Sequence, residues 1–167
     1  MQKSIIIYSS VDGHTKEICE KIAGYMIGDS DIFSVDDNPE IQNYEKIIIG
    51  ASIRYGKYRT KLFDFIESNI EVISEKENAF FSVNVVARKA EKNTPNTNPY
   101  VQKFLNSTTW IPNKVEVFAG KIDYPKYKFL DKYAIKFIMW ITKGPTDTSK
   151  RYEFTDWDKV KNFAKNI

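Results

Sequence analysis

Two residue types that build many reactive centres are almost missing from this chain of 167 residues, which has one cysteine, Cys19, and one histidine, His14. A single cysteine excludes an internal disulfide framework and a cysteine-built metal site, and it suits a reducing compartment. A single histidine argues against a histidine-based zinc site and a Ser-His-Asp triad. We therefore expect no metal site, and we expect Cys19 to be a small buried hydrophobe in a helix.

Long hydrophobic runs are also missing. No stretch reaches the roughly 18 apolar residues of a membrane span, and the apolar core before Asp12 is too short for a signal peptide. We therefore expect a cytoplasmic protein. Hydrophobic residues make up 42% and charged residues 28% of the chain, which excludes disorder and indicates one domain over 1–167.

Charge and aromatic residues are unevenly used. The formal net charge is +3, yet residues 114–167 hold 12 Lys/Arg against 7 Asp/Glu, while the preceding residues hold 13 against 15. A basic C-terminal third indicates an anionic partner, such as a membrane, a nucleic acid or an acidic ligand. Aromatic residues reach 14%, and such residues line sites for flat ligands as well as filling cores.

Continuous apolar runs alternate with helical patterns along the chain. Strands alternating with helices predict an α/β fold with a parallel sheet covered on both faces. Five strands favour a doubly wound sheet of order 2-1-3-4-5. The predicted strands are 3–10, 32–35, 47–49, 79–87 and 115–119. The predicted helices are 14–28, 62–70, 101–105 and 156–164.

One segment, at about 124–151, interrupts the alternation before the last helix. Ten of the fifteen residues 129–143 are apolar. At about 100° per residue, four lysines fall within about 80° of one another on a predicted helix. Too short to span a bilayer, this helical insertion suits an anionic membrane surface or a flat hydrophobic substrate, although docking onto the sheet edge or a dimer partner stays open. The lysines are Lys128, Lys132, Lys136 and Lys143.

The turn after the first strand is predicted to bind phosphate. In open α/β sheets, ligands bind beyond the carboxyl ends of the strands. Small residues let backbone N–H groups converge there, hydroxyls add donors, and the next helix contributes its positive end. The turn is neither a P-loop nor a GxGxxG motif, and a plain helix cap is the alternative. Its residues are Ser9, Ser10, Val11, Asp12, Gly13, His14 and Thr15.

Residues 10–15, Ser-Val-Asp-Gly-His-Thr, resemble the Ser/Thr-x-Thr-Gly-x-Thr phosphate loop of flavodoxins, with Asp12 in place of the middle threonine. Because a carboxylate repels a phosphate, we expect Asp12 to turn outward or to cap backbone donors. We expect His14 to be solvent-exposed or to lie beside the phosphate, without a catalytic role.

Further motifs extend the resemblance over essentially the whole chain. They are Ile-Gly-Ala-Ser-Ile-Arg-Tyr-Gly-Lys-Tyr at 49–58, Phe-Ser-Val-Asn-Val-Val-Ala-Arg-Lys at 81–89, and shorter motifs at 93–98, 124–127, 144–148 and 152–157. Together they resemble the menaquinone-dependent protoporphyrinogen dehydrogenase (oxidase) family of flavodoxin-like enzymes. Several of these motifs lie in loops, where packing alone does not dictate residue identity.

The resemblance implies one FMN per chain and oxidation of protoporphyrinogen IX to protoporphyrin IX in haem biosynthesis, with electrons passed to menaquinone or another membrane quinone. The flavin would carry the redox chemistry, so no catalytic side chain is assigned. We expect a peripheral protein on the cytoplasmic face of the cell membrane, with no nucleic-acid partner. A homo-oligomer stays open. The alternative is a flavodoxin-type electron carrier, although such carriers are usually acidic, and a non-redox phosphate binder is a third class.

The resemblance also distributes the flavin over three loops. The turn at 9–15 would hold the phosphate, the loop at 51–56 would cover one ring face with Tyr55 stacked on it, and backbone N–H groups at 84–88 would reach the flavin N1 and O2. Three cations, Arg54, Arg88 and Lys89, would pair with porphyrin propionates or the flavin, or form a solvated rim. The 124–148 segment is expected to be separable from flavin binding. The residues beyond the turn are Ala51, Ser52, Ile53, Arg54, Tyr55, Gly56, Asn84, Val85, Val86, Ala87 and Arg88.

Overall fold

A five-stranded parallel sheet forms the centre of the protein, of which a computed structural model describes residues 2–167. Its strand order is β2-β1-β3-β4-β5, which confirms the predicted order. The strands are β1 (Ser4–Ser9), β2 (Ser30–Ser34), β3 (Lys46–Ser52), β4 (Glu77–Val83) and β5 (Lys114–Phe118).

The isoleucine runs of β1 and β3 make the middle of this sheet. Ile6 lies opposite Ile48 in the parallel register, and both side chains are fully buried. Their neighbours Ile5 and Ile47 point to the other face, where they join a second core cluster. Burial on both faces explains why these strands have continuous apolar sequences instead of alternating ones.

Six helices accompany the strands among the described residues. The predicted second helix is two helices, because the chain breaks at Asn69 and restarts. Asn98 caps the fourth helix by accepting hydrogen bonds from the N–H groups of Tyr100 and Val101. The helices are α1 (His14–Tyr25), α2 (Thr60–Ser68), α3 (Ile70–Glu75), α4 (Pro99–Ser107), α5 (Phe129–Ile141) and α6 (Trp157–Lys165).

The fourth strand is shorter than predicted. It ends at Val83, and Val85–Arg88 form a 3-10 turn instead of continuing the strand to residue 87. The Asn84 side chain accepts a hydrogen bond from the N–H of Ala87, which closes the turn. An asparagine that binds its own backbone in this way competes with strand formation.

The insertion contains the predicted helix, α5, framed by a small sheet that the sequence did not predict. Strands β6 (Lys121–Asp123) and β7 (Arg151–Glu153) pair antiparallel. Ile122, Tyr124 and Met139 form a separate buried cluster that fixes α5 to the rest of the protein. No helix within residues 2–167 has both the length and the apolar character needed to cross a bilayer.

Cys19 is completely buried in α1, as predicted, and packs in the core between this helix and the sheet. Burial raises the pKa of its thiol, which disfavours the thiolate that reacts with oxidants and alkylating reagents.

Candidate functional site

A cavity of about 410 Å³ opens where the strands end at their carboxyl edge. The turns that follow β1, β3 and β4 line one part of it, and the β6–α5 insertion lines the rest. Most of the predicted site residues therefore come together in one place. Those on its wall are Ser10, Val11, Asp12, His14, Thr15, Ser52, Ile53, Arg54, Tyr55, Gly56, Asn84, Val85 and Val86.

The turn after β1 has the backbone geometry of an anion cradle. Gly13 adopts a left-handed conformation with φ of 85°, and its N–H donates to the Ser10 hydroxyl over 2.9 Å. No side chain caps the N-terminus of α1. The buried hydroxyls of Ser9 and Thr15 have no hydrogen-bond partner in the described part of the chain. Two unpaired hydroxyls beside the positive end of a helix suit an anionic group.

Asp12 turns away from this cradle and forms an ion pair with Arg54 on the neighbouring loop. Its predicted outward orientation therefore agrees with the structure, whereas capping of backbone donors does not. Burial raises the pKa of the Asp12 carboxyl, Arg54 opposes that rise, and the carboxylates of Asp131 and Asp123 add to it.

His14 is buried, with only 6% of its surface exposed, so the expectation of a solvent-exposed histidine is wrong. Its Nδ1 lies 3.0 Å from a Glu17 carboxylate oxygen, and its Nε2 lies 2.8 Å from the Thr155 hydroxyl. Both ring nitrogens are therefore engaged within the protein, although the residue borders the cavity.

The loop after β3 is a tight reversal from Arg54 to Lys57. Their backbones exchange two hydrogen bonds, of 2.9 and 3.1 Å, across Tyr55 and Gly56. Both central residues have positive φ, 50° and 73°, which is the geometry of a type I′ turn and is costly for tyrosine. The turn holds the Tyr55 ring, half-exposed, at the cavity wall.

Arg54 and Tyr55 connect this turn to the insertion. The Asp131 carboxylate in the first turn of α5 accepts a hydrogen bond from the Tyr55 hydroxyl and lies 3.9 Å from an Arg54 nitrogen. The Arg54 guanidinium also lies 5.6 Å from the centre of the Tyr127 ring. Arg54 therefore links two loops to α5, so the expectation that it forms part of a solvated rim is wrong.

The turn after β4 is held by a buried amide pair. The side chains of Asn84 and Asn98 exchange hydrogen bonds of 3.0 and 3.2 Å. The Asn84 N–H donates to the Phe118 carbonyl and the Ala87 N–H donates to Asn84. The N–H groups of Asn84 and Ala87 are therefore unavailable to a ligand, which corrects the prediction for them. The two intervening valines line the cavity.

The Arg88 side chain points to the insertion and does not line the cavity. One of its nitrogens donates to the Thr142 carbonyl over 3.1 Å, at the C-terminal end of α5 where a cation is favoured by the helix dipole. Its predicted contact with the cofactor is therefore wrong for the side chain. Four other predicted residues also lie off the cavity wall: Ser9, Ala51 and Ala87 are buried, and Gly13 is exposed but has no side chain.

The insertion forms a wall of the same cavity as the predicted flavin loops, so the structure does not set it apart from that site, and its separability from flavin binding stays a prediction. Ile135, Ile138 and Met139 of α5 supply an apolar surface facing the loop at 52–56. Sequence reasoning missed these contacts because a helical pattern does not show onto what the helix folds. The other missed lining residues are Val83, Tyr100, Gly120, Lys121, Ile122, Asp123, Lys126 and Tyr127.

The cations on the cavity wall all have carboxylate partners. Lys121 lies 3.0 Å from Glu17, and Lys126 lies 3.6 Å from Asp123. These two ion pairs and the Arg54–Asp12 pair make the rim of the cavity polar, whereas α5 supplies an apolar side. No cluster of His, Cys, Asp or Glu within residues 2–167 could hold a metal ion.

Comparison with known proteins agrees with this architecture. Residues 5–149 match a family described as a flavodoxin domain. A protoporphyrinogen IX dehydrogenase (quinone) of Escherichia coli strain K12 is 41% identical over 170 residues, covering 99% of this chain and 94% of that protein. This chain belongs to the flavodoxin-like family of protoporphyrinogen IX dehydrogenases. A member from Leishmania major is also 41% identical, over 99% of this chain and 74% of its own.

Solved structures share the fold of this dehydrogenase family member at low identity. Oxidised flavodoxin 1 from Bacillus cereus superposes with a TM-score of 0.55 and 17% identity, covering 98% of this chain and 95% of that one. At such identity the likeness concerns the fold alone.

Proposed function

We propose that this protein oxidises protoporphyrinogen IX to protoporphyrin IX with FMN as its cofactor and a quinone as electron acceptor. The observation that carries the proposal is the cavity, with a phosphate-type cradle at one end and the apolar α5 wall at the other. Near-full-length identity of 41% to protoporphyrinogen IX dehydrogenases supports it.

The residues at the cradle fit the FMN phosphate. A phosphate oxygen needs hydrogen-bond donors, and the buried hydroxyls of Ser9 and Thr15 are donors without partners among residues 2–167. The left-handed Gly13 leaves the first N–H groups of α1 uncovered, because no Cβ and no capping side chain stands before them. These groups would hold the phosphate without a cationic side chain.

The rest of the wall fits a flat ring system. Tyr55 offers an aromatic face, and the N–H groups of Val85 and Val86 are donors for a polar ring edge. The insertion residues Ile135 and Ile138 would exclude water from the opposite side. When bound, FMN supplies two-electron redox chemistry that side chains lack. The substrate loses six hydrogens, so three such cycles, each returning two electrons to a quinone, balance the conversion.

The carboxylates of the substrate would meet the basic rim. Arg54 and Lys126 lie on the cavity wall, and each now pairs with a carboxylate of the protein, Asp12 and Asp123 respectively. On binding a dicarboxylate substrate, each of these cations would exchange a carboxylate of the protein for a carboxylate of the substrate, at little electrostatic cost.

The experiment is anaerobic mixing of FMN-loaded protein with protoporphyrinogen IX, followed by addition of a soluble quinone, with porphyrin fluorescence as the readout. Because each porphyrin requires three two-electron cycles, we expect at most one porphyrin for every three FMN before the quinone is added, and many turnovers after it. Protein prepared without any bound flavin is the control. A yellow protein that yields no porphyrin, yet exchanges electrons with a flavodoxin reductase, would instead identify an electron carrier.

We further propose that α5 places the protein on an anionic membrane surface, on its cytoplasmic face. Seven of the twelve exposed large hydrophobic side chains of residues 2–167 lie on this one helix. Leu130 is 80% exposed, Phe129 73% and Trp140 69%, so they are not used by the core. The quinone acceptor is itself lipid-soluble, so an exposed apolar surface that contacts the membrane would bring the protein close to it.

The arrangement on α5 suits a bilayer interface. Met139 and Ile135 face inward, and at about 100° per residue the exposed aromatic and aliphatic residues fall on the opposite side. Lys132 and Lys136 lie along one border between the two faces, half-buried, and Lys128 and Lys143 are exposed near the helix ends. Lysines in such a border extend their charge to headgroups while the apolar side sinks below them.

Vesicle co-sedimentation tests the membrane proposal. We expect binding to anionic vesicles, weaker binding to neutral ones, and release by salt, because each lysine near an anionic surface contributes about 1 kcal/mol. Lys132→Glu combined with Lys136→Glu should release the protein. Lys161→Glu with Lys165→Glu on α6 changes the net charge equally and should not. Equal pelleting of both double variants would contradict the proposal and leave α5 as a dimer surface.

A further inference from the structure

A groove between the loop after β3 and the helices α2 and α4 has no lining residue in common with the cavity. Its volume is about 290 Å³, which is at the lower end of the roughly 300–1,000 Å³ of small-molecule sites. The groove therefore has room for a ligand of one or two rings. Its lining residues are Lys57, Tyr58, Phe63, Lys103, Phe104 and Ser107.

Three aromatic rings form the apolar side of the groove. The Phe104 ring lies in the middle, with its centre 5.6 Å from that of Tyr58 and 5.7 Å from that of Phe63. Phe104 is completely buried, whereas Tyr58 and Phe63 are half-buried and keep part of their surface open. Clustered rings offer faces and edges against which another flat ring packs. The apolar side therefore suits an aromatic ligand.

The hydroxyl groups of the groove already have partners within the protein. The Tyr58 hydroxyl lies 2.7 Å from the Ser82 hydroxyl, and the Ser107 hydroxyl donates to the Lys103 carbonyl over 2.7 Å. Of the side chains that line the groove, the two lysines are therefore the ones with donors to spare for a polar group of the ligand.

The two lysines, Lys57 and Lys103, are exposed, and neither forms an ion pair within residues 2–167. The Lys103 ammonium donates to the Gly56 carbonyl over a long 3.5 Å, which leaves further donors for a ligand. The cations on the cavity wall, by contrast, all have carboxylate partners. Two unbalanced positive charges beside an aromatic surface are complementary to a carboxylate on a flat apolar body.

From these contacts we infer that the groove binds a small aromatic carboxylate, with its ring against Tyr58 and Phe63 and its carboxylate at the two lysines. This site is additional to the proposed flavin cavity, and both can be occupied at once. Gly56 lines the cavity and the next residue lines the groove, so the ligand would contact the turn after β3 from outside the cavity.

Calorimetric titration of the full-length protein with 2-naphthoate tests the site, and 2-naphthamide is the matched probe without a charge. With the cavity filled by FMN, we expect one naphthoate per chain, bound about tenfold or more tighter than naphthamide. Equal affinities for the two probes would indicate a neutral apolar occupant and would overturn the proposal, as would displacement of naphthoate by FMN. A failure of FMN itself to bind would contradict the proposed function, and the variants below would still test the groove.

Removal of the two charges tests the carboxylate contact. Lys57→Gln combined with Lys103→Gln should weaken naphthoate binding about tenfold and leave naphthamide binding unchanged. Lys21→Gln combined with Lys114→Gln removes the same charge at exposed positions outside the groove, and it should change neither affinity. Equal naphthoate affinities in the two double variants would overturn the proposal.

Filling the groove tests the aromatic contact. Ser107→Phe places a ring in the groove and should reduce the binding of both probes at least tenfold. Asn106→Phe adds the same ring at the preceding residue of α4, outside the groove, and should leave both affinities unchanged. Both positions are exposed, so the fold is expected to tolerate either change. Undiminished naphthoate binding in Ser107→Phe would place the probe elsewhere and overturn the proposal.

Discussion

At the scale of single residues, the site depends on unusual backbone conformations more than on reactive side chains. Gly13, Tyr55 and Gly56 all have positive φ, and each lies in a turn at the cavity. Such conformations position N–H groups and one aromatic ring where flexible side chains would be less well fixed. This explains how a chain with one histidine and one cysteine can still build a specific site.

Gly13→Ala tests the left-handed cradle. No atom would crowd the new Cβ, but φ of 85° is unfavourable for alanine, so we expect a loss of about 1 kcal/mol in stability and about a tenfold loss of FMN affinity. Gly24→Ala in the same helix is the matched control, because that position is open and has no positive φ. It should stabilise the protein by up to about 1 kcal/mol and leave flavin affinity unchanged. Equal FMN affinity in both variants would place the phosphate elsewhere.

At the scale of elements, the insertion is both the exposed surface and a wall of the site. Its inner face contacts the cavity through Met139, and its first turn is tied to the loop after β3 through Asp131. The outer face and the cavity wall therefore belong to one helix.

Asp131→Asn tests the link between α5 and the loop after β3. The variant removes a charge that faces Arg54 and weakens the bond from Tyr55. Because exposed ion pairs contribute about 1 kcal/mol or less, we expect amide hydrogen exchange in α5 to become about two- to fivefold faster. Asp147→Asn, in the same insertion but paired with Lys150 and Ser149, should leave α5 exchange unchanged. Faster exchange in both would mean general loosening.

Met139→Ala tests how firmly α5 is packed. This side chain is 4% exposed and belongs to the cluster with Ile122 and Tyr124. We expect about 2–4 kcal/mol loss in the free energy of urea unfolding. Ile141→Ala, two positions later and 59% exposed, should cost less than about 0.5 kcal/mol. A similar loss at both positions would mean that the outer face is covered by another copy of the chain.

The sequence predicted the sheet and its strand order because buried isoleucine runs and amphipathic helices have distinct periodicities. It also predicted the turn after β1, where small residues, hydroxyls and a glycine precede a helix, whereas its binding of phosphate stays a prediction. The sequence did not predict contacts between side chains and groups that are distant along the chain. Nothing near Arg88 indicates that it binds Thr142, and nothing near His14 indicates Thr155. The sequence also did not predict the small sheet of β6 and β7, because two three-residue strands give no periodic pattern.

At the scale of the whole molecule, cofactor binding should couple to folding. The proposed FMN site draws on turns after three strands and on the insertion, so the bound state needs the complete fold. Such a ligand stabilises the native state by mass action, whatever the local contacts contribute.

We expect FMN at one hundred times its dissociation constant to raise the melting temperature by about 6–9 °C, because it adds about 2.7 kcal/mol to a chain of this size. Scanning calorimetry at a fixed protein concentration measures this shift. Riboflavin at the same concentration should give a smaller shift, since it lacks the phosphate. Equal shifts for both flavins would mean that the turn after β1 takes no part in binding.

The burial of Cys19 has a practical consequence for spectroscopy. Since the natural thiol is completely buried and burial raises its pKa, a cysteine introduced at the surface would be the thiol that a maleimide or nitroxide reagent modifies. Labels at residues 130 and 140 would report on the outer side of α5, and a label at residue 165 would serve as a reference on α6. Depth-dependent quenching in vesicles could then measure how far each position lies from the lipid headgroups, without first removing a native cysteine.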